Sequence, residues 1–222
     1  SVAVTLGGKA LGDASSTAAA TGIGIDTGAG NDQIANLAAV RVDARSNASA
    51  TSVSVGLVGV AEADVATTAL ASASGIAGGE GDDRILNQSS VTANAGLPGL
   101  RKGDGVCSST AGGACARAST VSVTLAGYGE ADAGSTATSA AVGLDGGAGR
   151  DALDNRGAVT VGALARGRAD GTSVAVFGAA DADASSTISA SASGITGGLG
   201  DDSLYNAGAV RAEAAAESFT RG

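Results

Sequence analysis

Gly78-Gly-Glu-Gly-Asp-Asp-Arg-Ile-Leu-Asn87 is one of four variants of a single decapeptide in this chain. The others are Thr27-Gly-Ala-Gly-Asn-Asp-Gln-Ile-Ala-Asn36, Gly146-Gly-Ala-Gly-Arg-Asp-Ala-Leu-Asp-Asn155 and Gly197-Gly-Leu-Gly-Asp-Asp-Ser-Leu-Tyr-Asn206. Their starts are separated by 51, 68 and 51 residues, and 68 is 51 plus 17. Other columns keep this register. Val4, Val55, Val123 and Val174 align, as do Gly8, Gly59, Gly127 and Gly178, and Val40, Val91, Val159 and Val210. Self-similarity at a fixed period is the signature of a solenoid or array.

Within each repeat the period is two. From Val53 to Gly75 every second residue reads Val, Val, Leu, Gly, Ala, Ala, Val, Thr, Ala, Ala, Ala, Gly, with Ser54, Glu62, Asp64, Thr68, Ser72 and Ser74 between them. Alternation predicts strands with one buried and one wet face, and it places Val53, Val55 and Leu57 in the buried phase. A helix is disfavoured because Gly recurs in every segment and no 3.6-residue stripe exists. The expected fold is all-β, a parallel β-solenoid of four 51-residue repeats forming one domain, 1–222. The units run about 1–51, 52–119, 120–170 and 171–222. Fifty-one residues exceed one compact coil, so two or three coils per unit are expected. Successive decapeptide turns would then lie roughly 10 to 14 Å apart.

Composition agrees with a thin core. The chain of 222 residues has 51 Ala and 37 Gly, and Val, Ile, Leu and Phe total 42. Such residues fill a flat interior but not a thick one. The larger ones, Ile25, Ile34, Val40 and their equivalents, gather around the decapeptide, so the core should be thickest there. No apolar run is long enough to span a bilayer. Thirteen Lys and Arg against 22 Asp and Glu, with no basic cluster, argue against nucleic acid. Without His there is no imidazole base and no His-ligated metal. The carboxylates repeat evenly and do not converge on one place, so catalysis is not expected.

The 17-residue surplus falls within 96–118, where Pro98, several Gly and both cysteines gather. This is loop composition, read as an excursion from the stack in preference to an added coil. Cys107 and Cys115 sit close enough in sequence to form a local disulfide, which suits an oxidising, extracellular setting; two free thiols are the other reading. Asp13, Asp64, Asp132 and Asp183 form a line of like charge beside Glu62, Glu130 and Asp181. It reads as a solvated face that blocks aggregation, or as a place for further divalent ions or basic partners. The Thr17, Thr68, Thr136 and Thr187 column is a single hydroxyl row, too narrow for an ice-binding array.

The decapeptide resembles the Gly-Gly-x-Gly-x-Asp-x-apolar calcium-binding nonapeptide of RTX (repeats-in-toxin) proteins. The match is carried by Gly28, Gly30 and Asp32, by Gly79, Gly81 and Asp83, by Gly147, Gly149 and Asp151, and by Gly198, Gly200 and Asp202. Thr27 replaces the first Gly in unit one. Glycines permit φ > 0, and Asp with turn carbonyls offers oxygens to a hard cation. Asp26, Asn31, Asp82, Asp145, Asp154 and Asp201 are further candidate ligands, and Arg150 should weaken calcium in unit three or replace it by an ion pair. Metal-free Gly turns whose Asp caps backbone N–H groups are the competing reading. The Asn closing each decapeptide gives a second resemblance, to haemagglutinin-type secreted β-helices, in which Asn stacks in ladders at turns. Together these imply a calcium-stiffened structural segment of a large secreted or cell-surface bacterial protein: an adhesin stalk, extracellular filament or sheath. The alternative is a calcium-binding secretion or carbohydrate-binding module on an exported enzyme. Expected partners are covalent neighbouring repeats, self-association end to end, or surface polysaccharide.

Overall fold

The computed structural model describes residues 1–96 and 113–222. Among these residues all regular structure is β. The strands are β1 (Val2–Thr5), β2 (Gly8–Asp26), β3 (Gln33–Asn36), β4 (Val40–Asp43), β5 (Arg45–Glu80) and β6 (Arg84–Asn87). They continue with β7 (Val91–Ala95), β8 (Gly113–Ala148), β9 (Ala152–Asn155), β10 (Val159–Thr196), β11 (Ser203–Asn206) and β12 (Val210–Arg221). Every pairing among them is parallel, in one eight-stranded sheet and one four-stranded sheet in the order β11-β9-β6-β3.

The register is the main finding. β2 pairs with β5 at an offset of 51 residues (Gly8↔Gly59), β5 with β8 at 68 (Arg45↔Gly113) and β8 with β10 at 51 (Ala114↔Ala165). No pairing among the described residues occurs at a fraction of the unit. The expected two or three coils per unit are therefore corrected: a whole unit lies beside the next. Long strands are the physical reason. Each unit holds two runs packed face to face, and one run of 19 residues, as in β2, is about 60 Å long.

Small side chains let the two runs touch. Ser46 Oγ donates to the Ala18 carbonyl at 2.7 Å, Ser54 Oγ to Ala10 at 2.9 Å and Ser122 Oγ to Ala61 at 2.7 Å. Near the decapeptide, Val side chains fill the space opposite glycines. A methyl at Gly143 would lie 2.4 Å from Val159 Cγ1, and one at Gly75 2.5 Å from Val91 Cγ1. The largest buried side chains, Ile76, Ile85, Leu144, Val91, Val159 and Val161, belong to this end, whereas Val65 sits in a small separate cluster with Ala118, Ala133 and Ala169.

The far end of each unit is a bend at 56–59, inside the long strands. Gly127 has φ of 138°, and a methyl there would lie 1.8 Å from the Gly59 carbonyl oxygen. The bend also moves the inward phase by one residue. Ser52 and Ser54 point inward before it, and Ala61, Ala63 and Val65 after it. Val53, Val55 and Leu57 therefore face outward, which corrects their expected burial. An alternation read straight through the bend carries the wrong phase to one side of it.

The surplus is narrower than 96–118. Val91 to Ala95 still pair with Val159 to Ala163, and pairing with the flanking rows resumes at Gly113 and Ala114. Residues 113–118 are thus strand, with Ala114, Ala116 and Ala118 buried. Gly96 and Gly113 adjoin: a methyl on Gly113 would lie 3.2 Å from Gly96 Cα. The rest of the expected excursion, 97–112, lies outside the described residues. Cys115, expected within the excursion, lies in β8 beside Asn47 and Arg166. Cys107 lies outside the described residues, which hold no free cysteine.

The stacking makes a glycine prediction. Gly127→Ala places a side chain at positive φ and against a carbonyl, so it should destabilise the fold by more than about 2 kcal/mol. Gly7→Ala, where nothing lies within 4 Å of the added methyl, should change stability by less than about 0.5 kcal/mol. Thermal melting of the two variants checks this, and equal midpoints would contradict the stacked bend.

Candidate metal-binding turns and carboxylate rows

The four decapeptides lie directly on one another. Gly30 N–H donates to the Glu80 carbonyl (2.7 Å), Glu80 N–H to Gly28 (2.8 Å), Gly81 N–H to Ala148 (2.7 Å) and Gly149 N–H to Leu199 (2.8 Å). Neighbouring turns are thus one hydrogen-bonded row apart, about 4.8 Å, which corrects the expected 10 to 14 Å. Gly28, Gly30, Gly79, Gly81, Gly147, Gly149, Gly198 and Gly200 all have positive φ. From the second unit onward each also has a carbonyl oxygen of the preceding unit where its Cβ would stand; at Gly79 a methyl would meet Gly28 O at 1.8 Å.

The Asp of each nonapeptide joins a ladder. Asp32 N–H donates to Asp83 Oδ1 (2.8 Å), Asp83 N–H to Asp151 Oδ1 (2.8 Å) and Asp151 N–H to Asp202 Oδ1 (3.0 Å). Asp83 and Asp151 are 2% and 1% exposed. The other carboxylate oxygen, Oδ2 of Asp32, Asp83 and Asp151, is buried and without a hydrogen-bond partner. In Asp83 and Asp151 it points back toward the first glycine of the turn. A methyl on Gly78 would lie 2.5 Å from Asp83 Oδ2, and one on Gly146 2.7 Å from Asp151 Oδ2.

The additional candidate ligands divide by role. Asp26 Oδ1 accepts from Gly28 N–H and Asp145 Oδ1 from Gly147 N–H, so both cap the turn. Burial, reinforced by nearby Asp151, raises the Asp145 pKa. Asn31 Oδ1 accepts from Asp82 N–H, and Asp82 Oδ1 from Arg150 N–H, forming a second, exposed ladder. Arg150 offers no acceptor to continue it toward Asp201. Asp154 is drawn away from the turn by Arg156, 2.7 Å distant, which lowers its pKa. Thr27 Oγ1 donates to the Gly78 carbonyl at 2.6 Å, giving the one non-glycine first position a bond of its own.

A buried amide ladder closes the decapeptides. Asn36 Nδ2 donates to Asn87 Oδ1 (2.7 Å), Asn87 to Asn155 (2.6 Å) and Asn155 to Asn206 (2.6 Å). Such a ladder satisfies each amide with its own equivalent.

Asp13, Asp64, Asp132 and Asp183 occupy consecutive rows of one column, with Glu62, Glu130 and Asp181 in the next outward column. Lys9 pairs with Glu62. Burial first, then Asp132, Asp13 and Glu62, raises the Asp64 pKa above 3.8. Among the described residues no group of three or more acidic or thiol side chains is arranged to hold a metal.

No family model, curated protein or solved structure matches this chain.

The acid rows give a prediction with a definite sign. A folded-state pKa raised above the unfolded value means a penalty that is fully present at neutral pH. It disappears as pH falls through the raised value toward 3.8. Asp64→Asn should therefore stabilise the protein at pH 7 by about 0.5 kcal/mol, and the gain should shrink toward pH 4. Chemical denaturation at both pH values measures it; a loss of stability at pH 7 would contradict the reading.

Proposed function

We propose that this chain is a load-bearing β-solenoid, one coil per 51-residue unit, stiffened by calcium at its Gly-Gly-x-Gly-x-Asp turns. It would serve as a structural segment of a large secreted or cell-surface bacterial protein, in an adhesin stalk, extracellular filament or sheath. The observation that carries this reading is the column of buried carboxylates with one oxygen each left unpartnered. Carboxylates one row apart repel by about 3 kcal/mol at an effective dielectric near 20. One charge-assisted hydrogen bond per carboxylate returns roughly 1.5 to 3 kcal/mol. The ladder alone therefore barely balances, and a hard cation on the Oδ2 side of Asp32, Asp83 and Asp151 would tip it toward folding. With turn carbonyls these oxygens would offer an all-oxygen donor set of the kind calcium takes.

The columns also have direction, which suits growth along the stack. Each Asn donates to the next, leaving Asn36 Oδ1 without a ladder donor at one end, while at the other Asn206 Nδ2 donates to the Gly208 carbonyl. A further unit, covalent or from another copy, continues the same pattern. The turn hydrogen bonds favour one competing reading, a metal-free ladder in which Oδ1 alone does the work.

Melting in EGTA and in excess CaCl₂ separates the two. Saturating a site to about 100 times its dissociation constant should add roughly 2.7 kcal/mol. Asp83→Asn with Asp151→Asn keeps the Oδ1 acceptors and should abolish the calcium response while the protein stays folded. Identical wild-type midpoints, with the double variant more stable than wild type, would establish the metal-free ladder.

A further inference from the structure

The outward valines and leucines beside the 56–59 bend form an apolar patch. Three adjacent outward columns run through all four units: those headed by Val2 and Val4 pair in register, and Leu6, Leu57, Leu125 and Val176 follow two residues on. Eleven of the twelve positions are Val or Leu, and the twelfth is Thr172. None is charged in a chain of net charge −9. Leu57 and Leu125 remain 45% and 46% exposed although rows flank them on both sides along the stack, and Val176, in the last row, is 58% exposed. At the bend, Phe177 extends the patch at 71% exposure. The same strands point hydroxyls inward: Ser52, Ser54, Ser122 and Thr124 are buried, and Ser52 Oγ and Thr124 Oγ1 have no hydrogen-bond partner. This segment is inverted relative to water, with its larger apolar side chains outside and its hydroxyls inside.

We propose that this patch is a lateral interface, and that its occupant is the same patch on a second copy of the chain. Two arguments select that occupant. The first is size. Three columns span about 20 Å and four rows about 19 Å, so the patch covers about 400 Å². A symmetric pair would bury about 800 Å² in total, below the 1,200 Å² of standard stable interfaces. That makes a weak, reversible contact for four units, growing by about 200 Å² with each added row. A repetitive structure thus gains lateral strength with length.

The second argument is charge. The same broad face carries Arg45, Arg117, Arg166 and Arg168 further along the strands, with Arg166 paired to Glu217 and Arg168 to Asp170, and the opposite face carries the Glu62 and Asp64 columns. Overlapping whole faces would bring these arginine-rich regions together, with more arginines than carboxylates on each. A two-fold axis parallel to the stack direction overlaps the patches alone and sends the two arginine regions apart. The contact is isologous, and its rows match because both copies have the same spacing. It leaves the ends of each stack open, so lateral pairing is independent of growth along the stack.

Sedimentation equilibrium of the intact chain across a concentration series tests this. Wild type should associate reversibly. Val55→Lys with Val123→Lys, in the central column, should weaken association at least tenfold, with unchanged circular dichroism. Val55→Thr with Val123→Thr, which keeps the side-chain shape, should weaken it in the same direction. Thr68→Lys with Thr136→Lys, on the opposite broad face, should leave it unchanged. A wild type that stays monomeric overturns the proposal. So does association that persists in the Val55/Val123 variants, which would be end-to-end, or that falls equally in all the lysine variants, which would reflect charge alone.

Discussion

In-register parallel pairing of whole units constrains everything else in this molecule. It sets each residue about 4.8 Å from its own equivalents, so every position must tolerate a copy of itself above and below. Glycine at the turns meets this by giving its Cβ space to a neighbour's carbonyl, as Gly79 does for Gly28 and Gly127 for Gly59. Asparagine meets it because an amide is both donor and acceptor, hence the Asn36-Asn87-Asn155-Asn206 ladder. Aspartate meets it only in part. Its carboxylate accepts the next N–H but repels the next carboxylate, and one oxygen remains unpartnered. The turns are therefore where the stack is least self-sufficient.

The same constraint explains the composition. Two long runs per unit, in contact across Ser, Ala and Gly, bury backbone more than side chain. Stability comes from parallel hydrogen bonds in which nearly every strand residue takes part, with a modest apolar core near the decapeptide. Interior serines add bonds from one layer to the carbonyls of the other, as Ser54 does to Ala10. Because the interior is thin, residues of ordinary core size have nowhere inside to go at the 56–59 end. Val55, Val123 and Leu57 stand outside for that reason.

Much of this was legible in the sequence. The all-β, parallel character, the thicker core at the decapeptide and the column partners follow from the fixed period and the alternation. The Asn ladder was implied by the resemblance to haemagglutinin-type β-helices that the four asparagines in one register carry. Three things were not. Row number per unit depends on strand length, and an Ala/Gly/Ser interior permits strands far longer than a compact coil would. The phase at Val53, Val55 and Leu57 depends on a one-residue shift in a bend whose own sequence still alternates. The role of Asp154 depends on Arg156, two residues on, which draws its carboxylate away from the turn. No pattern within the decapeptide announces that competition.

The central claim is that one unit makes one row. Spin labels at Thr68→Cys and Thr136→Cys, equivalent outward positions paired in adjacent rows, test it most directly by continuous-wave electron paramagnetic resonance. Labels one row apart, about 4.8 Å along the stack, should give strong dipolar and exchange broadening, lost when either label is present alone. A doubly labelled spectrum without spin exchange, showing at most the weaker dipolar broadening of labels roughly 10 to 14 Å apart, would mean intervening coils separate the positions, and the one-row account would fail.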